Sequence, residues 1–298
     1  MIPIWIIAAL ATATCFAVSG LLAYDAARAL GATVFSFVRM ALVAIGAGGL
    51  VLVFGLDSRM NGDDVALLCA SGMMGVFLSD TWRYASLARV GPQFQSLLGT
   101  AVAPFALLLG FLVLGQTVSI LSLIGTVMII AGLVAAAAAR SNTSDTRFTG
   151  EPAGLLAGIG FGLGAALTQA GSVLIAAPVM AKGIDPLSAT FVRSVAGALS
   201  LLLPVLLSAP RRNQIQSMSR TVAKQVVFSA VVGTGLGMSL QLFALASGPV
   251  GIVATLSATT PLIVLPLIWI IGRSRPKALA WLGAVIGVAG VALISNAS

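Results

Sequence analysis

The sequence predicts an all-α integral membrane protein with ten transmembrane helices, arranged as two inverted five-helix repeats. Three observations predict this fold class. Of the 298 residues, 59% are hydrophobic and 8% are charged, whereas a soluble domain carries about 25% charged residues. Ten charge-poor runs have the ~20 residues that a helix needs to cross a bilayer. Finally, sequence landmarks of the first half recur in the second half in the same order.

The ten predicted spans form two groups of five, which one polar segment separates. This segment, residues 141–151, is rich in Ser, Thr and charged residues and is the predicted linker. It divides the chain into a first five-helix repeat, residues 1–140, and a second five-helix repeat, residues 152–298. The first span lacks the basic start of a cleaved signal peptide, so we expect it to be retained. The predicted spans are 2–23, 33–56, 65–83, 92–115, 118–139, 152–176, 186–208, 225–247, 249–271 and 278–296.

Five landmarks recur at an offset between 154 and 158 residues. So many matches in one order indicate an internal repeat. Because each repeat holds an odd number of spans, the second repeat inserts upside down relative to the first. Such inverted repeats are typical of secondary transporters that alternate access around a site near the bilayer midplane. The landmarks are Phe37-Val38-Arg39 with Phe191-Val192-Arg193, Gly91-Pro92 with Gly248-Pro249, Pro104 with Pro261, Leu114-Gly115-Gln116 with Ile271-Gly272-Arg273, and Gly125 and Gly132 with Gly283 and Gly290.

With these landmarks the chain resembles the EamA-type members of the drug/metabolite transporter superfamily over nearly its whole length. The resemblance rests on the five-plus-five layout, Phe-x-Arg near the start of spans 2 and 7, and Pro in the middle of spans 4 and 9. It implies alternating access, cytoplasmic termini, and a scaffold role for spans 5 and 10. Members move amino acids, sugars, nucleotide-linked sugars, choline or other metabolites. Where such families usually show Glu, this chain has Gln116 and Arg273, so no role of that acidic residue is carried over.

The composition disfavours catalytic chemistry. The chain contains no histidine, which removes His-based acid–base catalysis and His-ligated zinc or haem. Cys15 and Cys69 lie in apolar runs and suggest neither a disulfide framework nor a metal site. We expect no enzyme, no catalytic residue, no metal and no cofactor; the alternative of another class is a membrane-embedded enzyme such as a lipid transferase. A third alternative, a scaffold or sensor subunit, is disfavoured because the sequence shows no soluble domain.

Ionisable residues inside the predicted spans are the candidate substrate site, because a lone charge in a bilayer is costly. Asp80, Trp82 and Arg83 of span 3 have no counterparts in the second repeat. This break in symmetry predicts that the cluster recognises the substrate; the alternative is a purely structural ion pair. Tyr84 and its counterpart Gln241 are further binding candidates. We expect substitutions of Asp80 or Arg83 to change transport and to leave folding intact.

Two matched arginines, Arg39 and Arg193, are predicted to share a structural or gating role. At about 1.5 Å per residue, Arg39 and Asp80 lie at similar depth on one membrane side, which allows an ion pair. Asp80 can equally pair with Arg83 at i,i+3. Either pairing leaves one Arg over, and an excess of Arg favours a bound carboxylate or phosphate. Arg39 is therefore a binding candidate as well. Asp80 is suited to the amino group of a zwitterion, and a proton as coupling ion stays open.

Two matched prolines, Pro104 and Pro261, interrupt spans 4 and 9. A proline leaves the carbonyl four residues earlier without its helical partner, here the carbonyls of Thr100 and Ser257. In one interpretation these carbonyls face the substrate cavity and accept hydrogen bonds from an ammonium group. In the other, neighbouring Thr or Ser hydroxyls satisfy them. Thr100 and Ser257 are therefore binding candidates, and the prolines are gating or structural candidates.

Basic residues in the loops predict the membrane orientation. Loops after odd-numbered spans carry 11 Lys and Arg residues, and loops after even-numbered spans carry 2. The positive-inside rule then places both termini outside the cell, whereas the family resemblance implies cytoplasmic termini. The excess of 16 Lys and Arg over 8 Asp and Glu thus reflects orientation rather than nucleic-acid binding.

These features predict an inner-membrane transporter of a small anionic or zwitterionic metabolite, an amino acid or organic anion, that works by export or exchange. The alternative is a carrier for drug or organic-cation efflux or uptake. Quaternary amines are usually held in aromatic cages, which 6% aromatic residues supply poorly. The predicted partners are the metabolite and the lipid bilayer, without nucleic acid, and the predicted state is a monomer or weak dimer.

Overall fold

The computed structural model describes residues 3–114, 119–140, 154–247, 253, 256–257, 259–272 and 276–297. The predicted linker 141–151, Gln116 and Arg273 lie outside the described residues. The α-helices are α1 (Ile4–Phe54), α2 (Gly62–Gly72), α3 (Asp80–Leu98), α4 (Val102–Leu114), α5 (Ile120–Arg140), α6 (Leu155–Ala181), α7 (Pro186–Leu206), α8 (Ala209–Gln216), α9 (Arg220–Phe228), α10 (Gly237–Ser247), α11 (Thr260–Gly272) and α12 (Ala278–Ala297). One π-helix, Met73–Ser79, follows α2, and another, Ser229–Leu236, follows α9. No strand occurs among the described residues, which confirms the all-α prediction.

Six helical segments in the described part of the chain are long and apolar enough to cross a membrane. One of them, α1, has 51 residues and would measure about 77 Å, more than twice the ~30 Å hydrocarbon core. It therefore contains both of the first two predicted spans. The count of ten spans stays a prediction. Shorter apolar helices are Leu123–Gly132, Thr260–Ile270 and Ala278–Leu293.

The connection between the first two predicted spans is shorter than expected. The sequence pattern placed a loop over residues 24–32, but α1 continues through this region and is interrupted at Gly31, with φ 68° and ψ 156°. Gly91, with φ 79°, interrupts α3 in the same way, directly before predicted span 4. Glycine reaches positive φ without a Cβ clash. The chain therefore changes direction within one residue at each of these points.

Exposed apolar side chains and buried charged ones distinguish this bundle from a soluble protein. Leu52 and Leu156 are 89% and 85% exposed, whereas Arg39 is 1% exposed and is the largest of the fully buried side chains. Lipid solvates exposed apolar side chains, so packing between helices must come from close contact and polar pairs.

Serine pairs connect the two repeats twice, in equivalent places. The hydroxyls of Ser71 in α2 and Ser172 in α6 lie 3.0 Å apart. Those of Ser19 in α1 and Ser229 in the second π-helix lie 2.9 Å apart. Ser19 and Ser172 stand in the first predicted span of their repeats, and Ser71 and Ser229 in the third. The first span of each repeat therefore packs against the third span of the other, as a two-repeat architecture requires.

Landmark glycines bring α5 against α12. A Cβ added at Gly132 would lie 2.6 Å from the carbonyl oxygen of Gly283, and one added at Gly290 would lie 2.6 Å from that of Gly125. An alanine methyl would overlap backbone in either place, so only glycine permits this approach. The recurring glycines thus mark one helix–helix interface whose two ends repeat the same contact.

Polar contacts also join the repeats where α1 leads to α2 and α6 leads to α7. Asp57 accepts a hydrogen bond from the backbone nitrogen of Asp185 at 2.7 Å, and Lys182 Nζ lies 2.6 Å from Asp64 Oδ1. Asp57 also accepts from the side chain of Arg59 at 2.8 Å, and these hydrogen bonds hold the pKa of Asp57 well below its usual range.

Candidate functional site

A cavity of about 250 Å³ lies between the repeats. Helices α1, α3 and α4 and the first π-helix line it from the first repeat. Helices α6, α7, α10 and α11, the second π-helix and Val291 of α12 line it from the second. All four ionisable residues predicted inside the membrane reach this cavity. A mainly apolar concave site with a few convergent polar groups is typical of small-molecule binding. The polar lining residues that matter below are Arg39, Asp80, Arg83, Gln95, Arg193 and Gln241.

Asp80, the first residue of α3, binds two arginines at once. Its Oδ2 contacts Arg39 Nη2 and its Oδ1 contacts Arg83 Nη2. Arg39 also donates a hydrogen bond to the hydroxyl of Tyr84. Asp80 is 6% exposed, whereas the side chain of Arg83 is 33% exposed. Both ion pairs considered from the sequence therefore occur together on one carboxylate, and Arg83 is the more accessible cation.

Aromatic rings surround this group of charges. The guanidinium carbon of Arg39 lies 4.5 Å from the ring centroid of Tyr84 and 5.8 Å from that of Phe35. The guanidinium carbon of Arg83 lies 5.7 Å from the ring centroid of Phe16. Cations over ring faces at these distances are stabilised by the ring quadrupole. Sequence reasoning missed both phenylalanines, although Phe35 stands four residues before Arg39 and so shares its helix face.

Arg193 lies in the same cavity with a different environment. Its Nη2 donates to Ser172 Oγ at 3.0 Å, and its Nε has no hydrogen-bond partner among the described residues. The residue is 2% exposed. Among the described residues no carboxylate lies within ion-pair distance of Arg193. Arg39 and Arg193 are thus equivalent in sequence and both are buried, but of the two only Arg39 contacts Asp80 directly in the described structure.

The other predicted binding residues divide between the cavity and its surroundings. Gln241, Thr100 and Ser257 line the cavity, and the Ser257 hydroxyl has no partner. Within the described part of the chain Trp82 does not line it. A Cβ added at Gly164 of α6 would lie 2.7 Å from the Trp82 ring, which shows that this ring packs against α6.

The two prolines differ in position. Pro261 lines the cavity, whereas Pro104 is not among its described lining residues. The Thr260 hydroxyl donates a hydrogen bond to the Ser257 carbonyl at 2.8 Å. A neighbouring hydroxyl thus satisfies the Ser257 carbonyl, as in the second interpretation. Pro261 itself is the second residue of α11 and not a proline in a helix interior.

Three further polar groups lie in the cavity wall. Gln95 is 6% exposed, and its Oε1 has no partner among the described residues. Sequence reasoning missed Ser19 and Thr234, which line the cavity from α1 and the second π-helix. No motif marks these residues. The signal for Ser19 is its place in the first span, equivalent to that of Ser172 in the second repeat.

Comparisons with known proteins agree with this architecture. The chain matches the sequence profile described as the EamA-like transporter family over residues 3–137 and 156–296. A solved structure titled "Crystal structure of protein" is similar with a TM-score of 0.64 and 16% sequence identity, over 96% of this chain and 95% of that chain. At this identity the similarity shows the fold alone. A search among curated proteins found no significant match.

Proposed function

Because the chain belongs to the EamA-like transporter family, we propose that it carries a small anionic or zwitterionic metabolite by alternating access. Family membership and the long apolar helices make it a multi-pass membrane transporter, with a bilayer and a small molecule as its partners. Beyond family membership we propose the charge of the substrate and the alternating-access mechanism. Alternating access is supported by the cavity between two equivalent repeats, the place where such carriers bind their substrates.

The charge balance of the cavity is the observation that carries the substrate class. The described lining holds three buried or half-buried guanidiniums, those of Arg39, Arg83 and Arg193, and one carboxylate, that of Asp80. The site therefore has an excess of positive charge. Two like charges about 8 Å apart repel by about 2 kcal/mol at an effective dielectric constant of 20, which disfavours an organic cation. A carboxylate or phosphate oxygen instead finds donors in fork geometry.

A zwitterionic amino acid fits the same site in one orientation. Its carboxylate would bind Arg83, the most accessible cation, and its ammonium group would face Asp80. Export and exchange both remain within this proposal, since the cavity binds the same substrate in either direction.

Ligand screening and transport of purified protein test the substrate class. We expect amino acids or organic anions to raise the melting temperature, because a ligand that binds the native state stabilises it. In proteoliposomes the same compounds should exchange across the membrane, and Arg83→Gln should abolish both effects. The matched control is Arg89→Gln, which removes a charge from the same helix at a residue outside the described cavity lining. Stabilisation by organic cations alone would refute the proposal.

We further propose an inner-membrane location with both termini outside, from the distribution of Lys and Arg in the loops. A reporter fused to the C-terminus measures this directly. An enzyme reporter active only in the cytoplasm should be silent there; activity would favour the cytoplasmic termini implied by the family.

A further inference from the structure

Arg193 is a buried cation that lacks acceptors. Its only hydrogen bond in the described structure runs from Nη2 to the hydroxyl of Ser172, and its Nε has no partner. Gly75 lets this side chain approach the first π-helix closely, since a Cβ at Gly75 would lie 3.1 Å from the same Nη2. A buried guanidinium offers five N–H donors and is costly unless an anion pairs with it. This part of the cavity is therefore suited to an anion.

The first repeat contains the same arrangement with an anion in place. Arg39 lies beside Gly233 as Arg193 lies beside Gly75: a Cβ at Gly233 would lie 3.6 Å from Arg39 Nη1. Here Asp80 pairs with the guanidinium. At the equivalent point of the second repeat stand Gly237 and Met238, neither of which carries a charge. The repeats thus match in the arginine and the neighbouring glycine and differ in the carboxylate.

We propose that the substrate carries two negative charges and supplies the carboxylate that the second repeat lacks. One anionic group binds Arg193, in the place that Asp80 takes beside Arg39, and the other binds Arg83, which is 33% exposed. This inference rests on the proposed function, which it narrows to a dianion. A dianion cancels the two positive charges left by three guanidiniums and one carboxylate; a zwitterion cancels neither.

Small dicarboxylates and phosphate monoesters share this chemistry. Both place oxygen pairs that accept two parallel N–H bonds from one guanidinium. Met238 lines the cavity and is 6% exposed. Its neighbour Ser239 has its hydroxyl 3.0 Å from that of Thr190, which stands three residues before Arg193 in α7. An aspartate in place of Met238 would provide Arg193 with the internal counter-charge that Asp80 provides in the first repeat.

Calorimetric titration of the purified full chain with matched ligands tests the inference. Succinate and succinamate have nearly the same size but differ by one charge, and we expect succinate to bind at least about tenfold more tightly. Met238→Asp should remove this preference, and the isosteric control Met238→Asn should keep it. Titration with methyl phosphate at mildly alkaline pH distinguishes the two ligand classes. If the protein binds methyl phosphate but not succinate, the substrate is a phosphate monoester; if it binds succinate, the substrate is a dicarboxylate.

Several outcomes would overturn the inference. Equal affinities for succinate and succinamate would show that the second charge is not recognised, while the proposed function would stand. A preference that survives in Met238→Asp would show that Arg193 is not the second binding group. If Met238→Asp does not fold, Arg193→Gln decides, because it removes the charge and keeps a donor for Ser172; an unchanged preference there also overturns the inference. Binding of organic cations without any anion would instead refute the proposed function itself.

Discussion

Replacing Asp80 with asparagine removes the counter-charge that Arg39 and Arg83 share. Arg39 is 1% exposed, so water cannot replace the lost carboxylate there, whereas the half-buried Arg83 is partly solvated. Removing one partner of a buried ion pair costs about 3–5 kcal/mol. We therefore expect Asp80→Asn to lower the free energy of unfolding by about 3–5 kcal/mol, with most of the loss at Arg39.

Thermal unfolding of the purified protein in detergent, followed by tryptophan fluorescence, measures this loss. A change of that size should lower Tm by on the order of 10 °C. The double variant Asp80→Asn/Arg39→Gln removes both charges and should recover part of the stability, because the two residues are energetically coupled. The matched control is Asp63→Asn, which neutralises an exposed acidic residue in the first turn of α2.

A loss below about 1 kcal/mol, the range of exposed ion pairs, would contradict this expectation. A double variant no more stable than Asp80→Asn would refute it as well. This expectation revises the one drawn from the sequence, that Asp80 variants would leave folding intact. Burial of the carboxylate between two cations is what changes it.

Three further predictions concern packing and pH. Gly233→Ala should lower the free energy of unfolding by about 1–3 kcal/mol, because the new methyl would overlap the Ser19 hydroxyl. The control Gly46→Ala has open space around it and should show no such loss when the melting curves of the two variants are compared. Gly31→Ala should lower the free energy of unfolding by about 1 kcal/mol, because alanine is strained at the φ of 68° that Gly31 adopts. A loss no larger than that of Gly46→Ala would contradict this. Since hydrogen bonds lower the pKa of Asp57 in the folded state, its contribution should be constant above its ordinary value of 3.8 and fall as pH drops below it. The Tm difference between wild type and Asp57→Asn across pH measures this, and a contribution that grows on acidification would be inconsistent.

The ion pairs of the site could be predicted because depth in a membrane follows from residue count. Arg39 and Asp80 stand at similar distances from the ends of their spans, and a lone charge in lipid must find a partner. The same counting located Gly91 as the break before the fourth predicted span. Residue counting predicted too long a connection around Gly31. The hydrophobic pattern shows where apolar runs end, but not that the chain can change direction at a single glycine.

The partners of buried neutral groups could not be predicted. Ser71 and Ser229 are ordinary residues in apolar runs, and their contacts with Ser172 and Ser19 depend on how the repeats pack. The two π-helices left no mark in the hydrophobic pattern, since a seven- or eight-residue change of helix type is too short to shift it. That Asp80 has no counterpart is visible in the sequence, but which described groups contact Arg193 depends on how the repeats pack.

The contact between Ser19 and Ser229 can form only late in synthesis. Ser19 and Ser229 are 210 residues apart in the chain, and a ribosome adds about 5–20 residues per second. The first helix thus enters the membrane roughly 10–40 s before its partner helix is made. During this interval Ser19 lacks its hydrogen-bond partner Ser229, and Arg39 lacks its contact with Gly233. A nascent half-protein therefore exposes polar groups that the completed chain hides, and this interval is when membrane insertion factors or quality-control proteases have access to it.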